Sequence, residues 1–205
     1  MRILAIGAHP DDIEFGCGGT LLKYARKKHD IFLQIMTRGG IGGSRSVRKA
    51  EQERAAKFLR AKKIFWGRFK DTRIPISKEL IDEVEKVIYE VKPDIIFHNY
   101  FNDVHQDHRA IAYGTSSASR YVKRVLYYEV PTTNSFEPDI YVDISDVIKR
   151  KLELIKLHTS QVRRTHVPRL TILESVQSCA TFRGFQARVK YAEGFKSMRF
   201  LMDIS

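Results

Sequence analysis

Two short segments hold most of the side chains in this sequence that can bind a metal and move a proton. The first reads Ala8-His9-Pro10-Asp11-Asp12-Ile13-Glu14. In a turn of helix-like backbone, His9 and Asp12 project from one face, three residues apart, and can share a metal ion. Asp11 lies beside them, and Pro10 stiffens the turn. The second reads His98-Asn99-Tyr100-Phe101-Asn102-Asp103-Val104-His105-Gln106-Asp107-His108, with two imidazoles three apart and carboxylates before and between them. One ligand from this segment closes a site, and the spacing leaves open whether His105 or His108 supplies it. Two His and one Asp leave a fourth coordination position for water, the arrangement of a catalytic rather than a structural zinc centre. Zinc lowers the pKa of coordinated water from roughly 15.7 to about 7, and Asp11 is the candidate base for its proton. Either segment alone also reads as a helix N-terminus whose Asp caps free amides. Only a fold that brings them together decides for the metal.

The rest of the chain supplies such a fold. Short runs rich in Ile, Val, Phe and Tyr at 2–7, 31–37, 63–66, 94–98 and 124–129 predict buried strands. Helical periodicity lies between them. It is clearest over 77–91, where Leu80, Ile81, Val84, Val87, Ile88 and Val91 share a face, Ser77 suits the N-cap and Pro93 forbids continuation. Weaker patterns at 19–28, 47–60, 107–121 and 145–158 complete an α/β, Rossmann-like class with a mostly parallel sheet and helices on both faces. Right-handed crossovers that wind outward and return give the order 3-2-1-4-5. Strands 1 and 4 are then neighbours, and the winding reverses between their carboxyl ends, where such sheets bind ligands. Both chemical segments fall there.

Composition bounds the alternatives. With 205 residues, 43% hydrophobic and 29% charged, the chain is sized for a single domain over 1–205 and is neither disordered nor collagenous nor disulfide-dense. No apolar run approaches the roughly 18 to 20 residues that span a bilayer. The run before His9 is too short for a signal h-region, so a cytoplasmic protein is expected, with Cys17 and Cys179 unpaired. Lys plus Arg number 36 against 24 Asp plus Glu, a net charge of +12. That excess suits nucleic acid, an anionic substrate or solubility alike. The basic clusters at 38–49, 57–63 and 163–169 carry no nucleic-acid motif and read as solvated faces; a basic nucleic-acid-binding module on the same fold is the competing class. Gly16-x-Gly18-Gly19 lacks strict dinucleotide spacing and reads as a tight helix entry. His98 is expected in the core, and Phe65, Trp66, Phe69, Tyr127 and Tyr128 are expected to serve packing.

Ala-His-Pro-Asp-Asp followed much later by His-x-Asp-His resembles the LmbE-like, or PIG-L, family of zinc-dependent N-acetylglucosaminyl deacetylases. Thr37 with Gly39 and Gly40, Arg48-x-x-Glu51 with Ala55 and Leu59, His158-Thr-Ser-Gln161 and Tyr191-Ala-Glu193-Gly-Phe195 resemble further motifs of that family. Two positions depart from it: Gly40 stands where an acidic residue is usual, and Arg60 where a glycine is. The resemblance implies that His9, Asp12 and His108 hold Zn2+, with Fe2+ or Co2+ acceptable to the same donors. It implies Asp11 as general base, and His105, oriented by Asp107, as the second imidazole that stabilises an oxyanion; a carboxylate on His105 would bias it toward its charged form. Arg48 and Asp71 are implied sugar contacts. The implied substrate is a small N-acetylated sugar conjugate, cleaved to acetate and a free amino sugar, and the family permits trimers or hexamers.

Overall fold

The computed structural model describes residues 1–203. In chain order its elements are β1 (Arg2–Gly7), α1 (Asp12–Arg26), β2 (Asp30–Ile35), α2 (Arg45–Phe58), β3 (Lys63–Trp66), α3 (Lys78–Val91), β4 (Ile95–Asn99), α4 (Gln106–Ala118), β5 (Arg124–Tyr128), β6 (Ile140–Asp143), α5 (Ile148–Lys156), α6 (Ile172–Ala187) and β7 (Ala192–Phe200). The strands form one sheet in the order β3-β2-β1-β4-β5-β7-β6. β1 to β5 are mutually parallel and realise the expected 3-2-1-4-5 order. β7 and β6 extend it antiparallel beyond β5, a part of the sheet the sequence patterns did not announce.

Alternate residues of the central strands feed two cores. Ile3, Ala5, Phe97 and Leu126 meet α1, α2, α5 and α6 on one face, while Leu4, Ile6, Ile96 and Val125 meet α3 and α4 on the other. Burial on both faces is why these strands read as continuous apolar runs. In α3 the Ser77 hydroxyl caps as expected, accepting from the Leu80 amide at 3.4 Å. Lys92 closes the helix in a left-handed conformation just before Pro93.

α6 lies where no helical pattern was expected, and α1 starts at Asp12 rather than near 19. Three glycines depress its helix propensity, and contacts from distant segments replace what they lose. Gly16 lies under the ring of buried Tyr128, whose hydroxyl donates to the Ile6 carbonyl at 2.8 Å. A Cβ at position 16 would collide with that ring. Gly16→Ala is therefore expected to cost about 1–3 kcal/mol, read as a lower urea midpoint at unchanged m. Further along, Gly19 and Thr20 amides each donate to the Glu193 carboxylate at 2.7 Å. Buried Lys151 pairs with Glu193 at 2.6 Å and donates to the Phe15 carbonyl at 2.6 Å. Phe15 C=O and Gly19 N–H are i→i+4 partners in an α-helix, and each also engages one member of an ion pair from the far end of the chain.

Candidate active site

β1 and β4 pair in register, Ile6 opposite His98, so the segments that leave their carboxyl ends meet. From the first, His9 Nδ1 stands 3.6 Å from Asp12 Oδ2 and 3.3 Å from His108 Nε2; His108 Nε2 stands 3.4 Å from Asp12 Oδ2. An ion about 2.0–2.2 Å from tetrahedral donors spaces them by roughly 3.3–3.6 Å. The triangle fits that requirement. All three residues are buried.

Neighbouring carboxylates set which imidazole nitrogens face the triangle. His9 Nε2 lies 3.0 Å from Asp71 Oδ1 and 3.1 Å from Asp107 Oδ2. His108 Nδ1 lies 3.2 Å from Asp103 Oδ1. A ring N–H on each of those outer nitrogens leaves lone pairs on His9 Nδ1 and His108 Nε2, pointing with Asp12 Oδ2 to one locus. Burial alone would lower both imidazole pKa values, but the carboxylates prevail. His9, held by Asp107, Asp12 and Asp71, is raised well above its usual value, and His108, facing Asp12 and Asp103, is raised to about 9. The Asp12 carboxyl, resisting burial beside the two imidazoles, is held well below the usual range. The cluster is built to hold positive charge.

Asp11 stands apart from this triangle. It occupies the N-cap position of α1 with φ 103°, in the left-handed region that non-glycine residues seldom adopt, and its side chain makes no capping bond. Its amide is accepted by Gln52 Oε1 at 3.3 Å, and Gln52 Nε2 in turn donates to buried Glu14 at 2.6 Å. Arg48 Nη2 meets Asp11 Oδ1 at 3.2 Å. With 30% of its side chain exposed, Asp11 is open to a ligand. Burial raises its carboxyl to about 6 against the opposing pull of Arg48. The capping reading of this motif therefore fails for Asp11; Asp12 instead accepts from the Ala8 and His9 amides, both at 3.0 Å.

The second motif keeps part of its capping role, through an unexpected atom. His105 is the N-cap of α4, and its Nδ1 accepts from the Asp107 amide at 3.1 Å. Its ring stacks on His108 at 4.6 Å and meets His9 edge-on at 4.7 Å. The expected carboxylate pairing with Asp107 is absent. Asp107 accepts from the Thr72 amide at 2.8 Å and the Ile74 amide at 3.2 Å, and its remaining contact is His9. Burial and then the neighbouring imidazoles push the His105 pKa down, so the expected bias toward imidazolium is corrected to a neutral ring. With Nδ1 accepting, the proton sits on Nε2.

The two implied sugar contacts fare differently. Arg48 is buried, and its Nη donors go to the Pro10 carbonyl at 2.6 Å, the Gly39 carbonyl at 3.1 Å and Asp11, so they face groups of the protein rather than open space. Asp71 lies at the site, accepting from the Ile41 amide at 2.7 Å through the oxygen not facing His9. Asp103, behind His108, carries no sequence signal for this role beyond that of a turn, in which its Oδ1 accepts from the His105 amide at 2.8 Å. The other resembling motifs brace the same loops. Glu51 accepts from Thr159 and Ser160, and Gln161 donates to the Gly42 carbonyl. His98 is buried as expected, with its pKa pushed down to about 3 by that burial.

A Rossmann-like sheet with buried His and Asp converging at its switch point, beside an available carboxylate and a neutral imidazole, defines a frame that can hold a metal ion where amide chemistry could occur. A family model described as PIG-L: GlcNAc-PI de-N-acetylase matches residues 4–119, and the chain belongs to that LmbE-like deacetylase family. It is 34% identical over 167 residues to the uncharacterized deacetylase YaiS of Escherichia coli K12, covering 77% of this chain and 90% of the relative. The diacetylchitobiose deacetylase of Thermococcus kodakarensis is 27% identical over 231 residues, covering 95% of this chain and 82% of that one. The solved structure of N,N'-diacetylchitobiose deacetylase from Pyrococcus horikoshii superposes with a TM-score of 0.85 at 25% identity, over 96% of this chain and 83% of that one. These relatives are deacetylases, which disfavours the nucleic-acid-binding alternative. Among the described residues no helix is long and apolar enough to cross a membrane.

Proposed function

We propose that residues 1–205 act as one catalytic domain that hydrolyses the N-acetyl amide of a small N-acetylglucosamine conjugate, using a divalent ion held by His9, Asp12 and His108. The observation that carries this reading is the triangle of three donors at 3.3 to 3.6 Å, with an available carboxylate beside it. Zn2+ is the ion we name, and Fe2+ or Co2+ would satisfy the same donors. When bound, such an ion supplies Lewis acidity toward the amide carbonyl and acidifies water.

The protein's part follows from its contacts. Arg48 occupies Asp11 Oδ1 and leaves Oδ2 to take the proton of the attacking water and return it to the departing amine. A carboxyl raised to about 6 is suited to both transfers. His105, neutral with its proton on Nε2, donates a hydrogen bond to the carbonyl oxygen as negative charge develops there. Asp107 and Asp103 fix the rings of His9 and His108 by hydrogen bonding to their outer nitrogens. Arg48 acts through Asp11, and Asp71 closes the site wall next to His9. We assign the protein to the cytoplasm, a reading supported by its two free cysteines.

The test combines metal analysis with acetate release. Protein loaded with zinc is expected to carry one ion per chain, to release acetate and free amine in equal amounts from an N-acetylglucosamine glycoside, and to lose that activity on chelation. Full metal occupancy with no acetate from any N-acetylated sugar would overturn the reading.

A further inference from the structure

Next to Asp71, the loops that follow β2 and β3 enclose a cleft of about 430 Å³, within the range of small-molecule sites. Arg38, Arg45, Arg68 and Lys70 line it, with Trp66 as an apolar wall. Trp66 packs on the core, as its aromatic character leads one to expect, and its remaining surface faces this cleft. Asp71 is the one carboxylate of the lining, and both its oxygens are committed, one to His9 and one to the Ile41 amide.

Several surface cations of this chain are neutralised by a carboxylate, and these four are not. Lys23 pairs with Asp146, Lys63 with Glu90, Lys78 with Asp82 and Arg120 with Glu85. Around the cleft, no ion pair or side-chain hydrogen bond engages Arg38, Arg45, Arg68 or Lys70 within the described residues. Gly40 adds to the imbalance: a Cβ there would stand 2.5 Å from Arg45 Nε, so the absence of a side chain leaves Arg45 both uncovered and unneutralised. Like charges gathered on one concave wall focus a positive potential into it, and an anion entering relieves their repulsion. Asp71 marks the end nearest the candidate metal centre and disfavours an anion there, so the preferred place is farther along the cleft.

We propose that this cleft is an anion-binding aglycone subsite, taking a carboxylate or phosphate borne on the anomeric substituent while the N-acetyl group lies at the His9, Asp12 and His108 centre. The inference rests on the deacetylase reading and narrows its substrate class to acidic conjugates. Guanidinium groups bind both anions through charge-assisted, often bidentate hydrogen bonds, so the chemistry is shared and the test separates the two.

Three substrates of the zinc-loaded protein make the test: the methyl glycoside of N-acetylglucosamine, its carboxymethyl glycoside, and N-acetylglucosamine 1-phosphate. At least one acidic compound is expected to exceed the methyl glycoside in kcat/KM by about tenfold or more, chiefly through a lower KM, with the advantage shrinking in about 0.5 M salt. In Arg45→Ala/Arg68→Ala the ratio of acidic to methyl substrate should fall by about tenfold, whereas Lys78→Ala, on exposed α3, should leave it unchanged. Equal kcat/KM for all three, or a preference that survives the double substitution, would overturn the subsite. Calorimetric binding of the same compounds separates this from the broader reading. If nothing is deacetylated, tighter binding of an acidic compound that is lost in the double variant sustains the subsite while the deacetylase reading fails; equal binding removes the subsite as well.

Discussion

Asp11→Asn is expected to retain the metal and to lower kcat by about 10²–10⁴-fold with little change in KM. Asparagine is the informative substitution because of the backbone. At φ 103° a non-glycine residue is strained, Asn tolerates positive φ better than most, and the amide keeps the size and the Arg48 contact of the acid. Asp11→Ala should lose the same turnover but adds a backbone cost of about 1–2 kcal/mol, visible as a lower Tm. Neither change removes a donor from the triangle of His9, Asp12 and His108, so emission analysis should still find one zinc per chain. Activity within a few-fold of the parent would remove Asp11 from the role of base. Loss of metal would instead place it among the ligands.

His108→Ala is expected to abolish both metal retention and turnover, leaving less than about a tenth of an ion per chain after dialysis, whereas His105→Ala should keep the ion and lose rate alone. The pair of variants resolves the alternative that sequence spacing leaves open. It is a sharp comparison because ring nitrogens of His9, His105 and His108 all lie within 4.8 Å of one another, so either imidazole is close enough to matter. Geometry favours His108: its outer nitrogen is fixed by Asp103 and its inner one faces Asp12, while His105 spends Nδ1 on the Asp107 amide. A thermal-shift assay gives a second readout. Added zinc should raise the Tm of the parent and of His105→Ala, and leave that of His108→Ala unmoved, because an ion bound only to the native state stabilises it by mass action. Metal retained by His108→Ala and lost by His105→Ala would invert the proposed ligand set.

What could be read beforehand follows from which signals are local. β1 to β5 announce themselves because strands buried on both faces are written as unbroken apolar runs, and α3 because its apolar stripe, serine cap and proline stop agree. β6 and β7 lack that clarity. β6 has four residues, and β7 interleaves Gly194, Lys196, Ser197 and Arg199 with its apolar positions as it runs from the core to the exposed edge. At the site, residue types and the meeting of two loops were legible, but pairings were not. Asp107 lies two residues from His105, and at a helix start such neighbours diverge. Its carboxylate accordingly turns to His9, far off in sequence, and leaves only a backbone amide for His105. Arg48 shows the same limit: its charge and position suggested a ligand contact, whereas three acceptors of the protein itself claim its guanidinium.

The brace that Glu193 and Lys151 form against α1 bears on how the chain matures. His9 and Asp12 are synthesised almost first, yet the helix that carries Asp12 is braced, about two turns on, by a carboxylate from the last strand. A nascent polypeptide ending soon after residue 119, where the family match stops, would own every proposed zinc donor and still lack the brace that shapes them. On the proposed ligand set, the ion is expected to load late, after the C-terminal strand has docked, and a chain truncated before that strand is expected to bind zinc poorly.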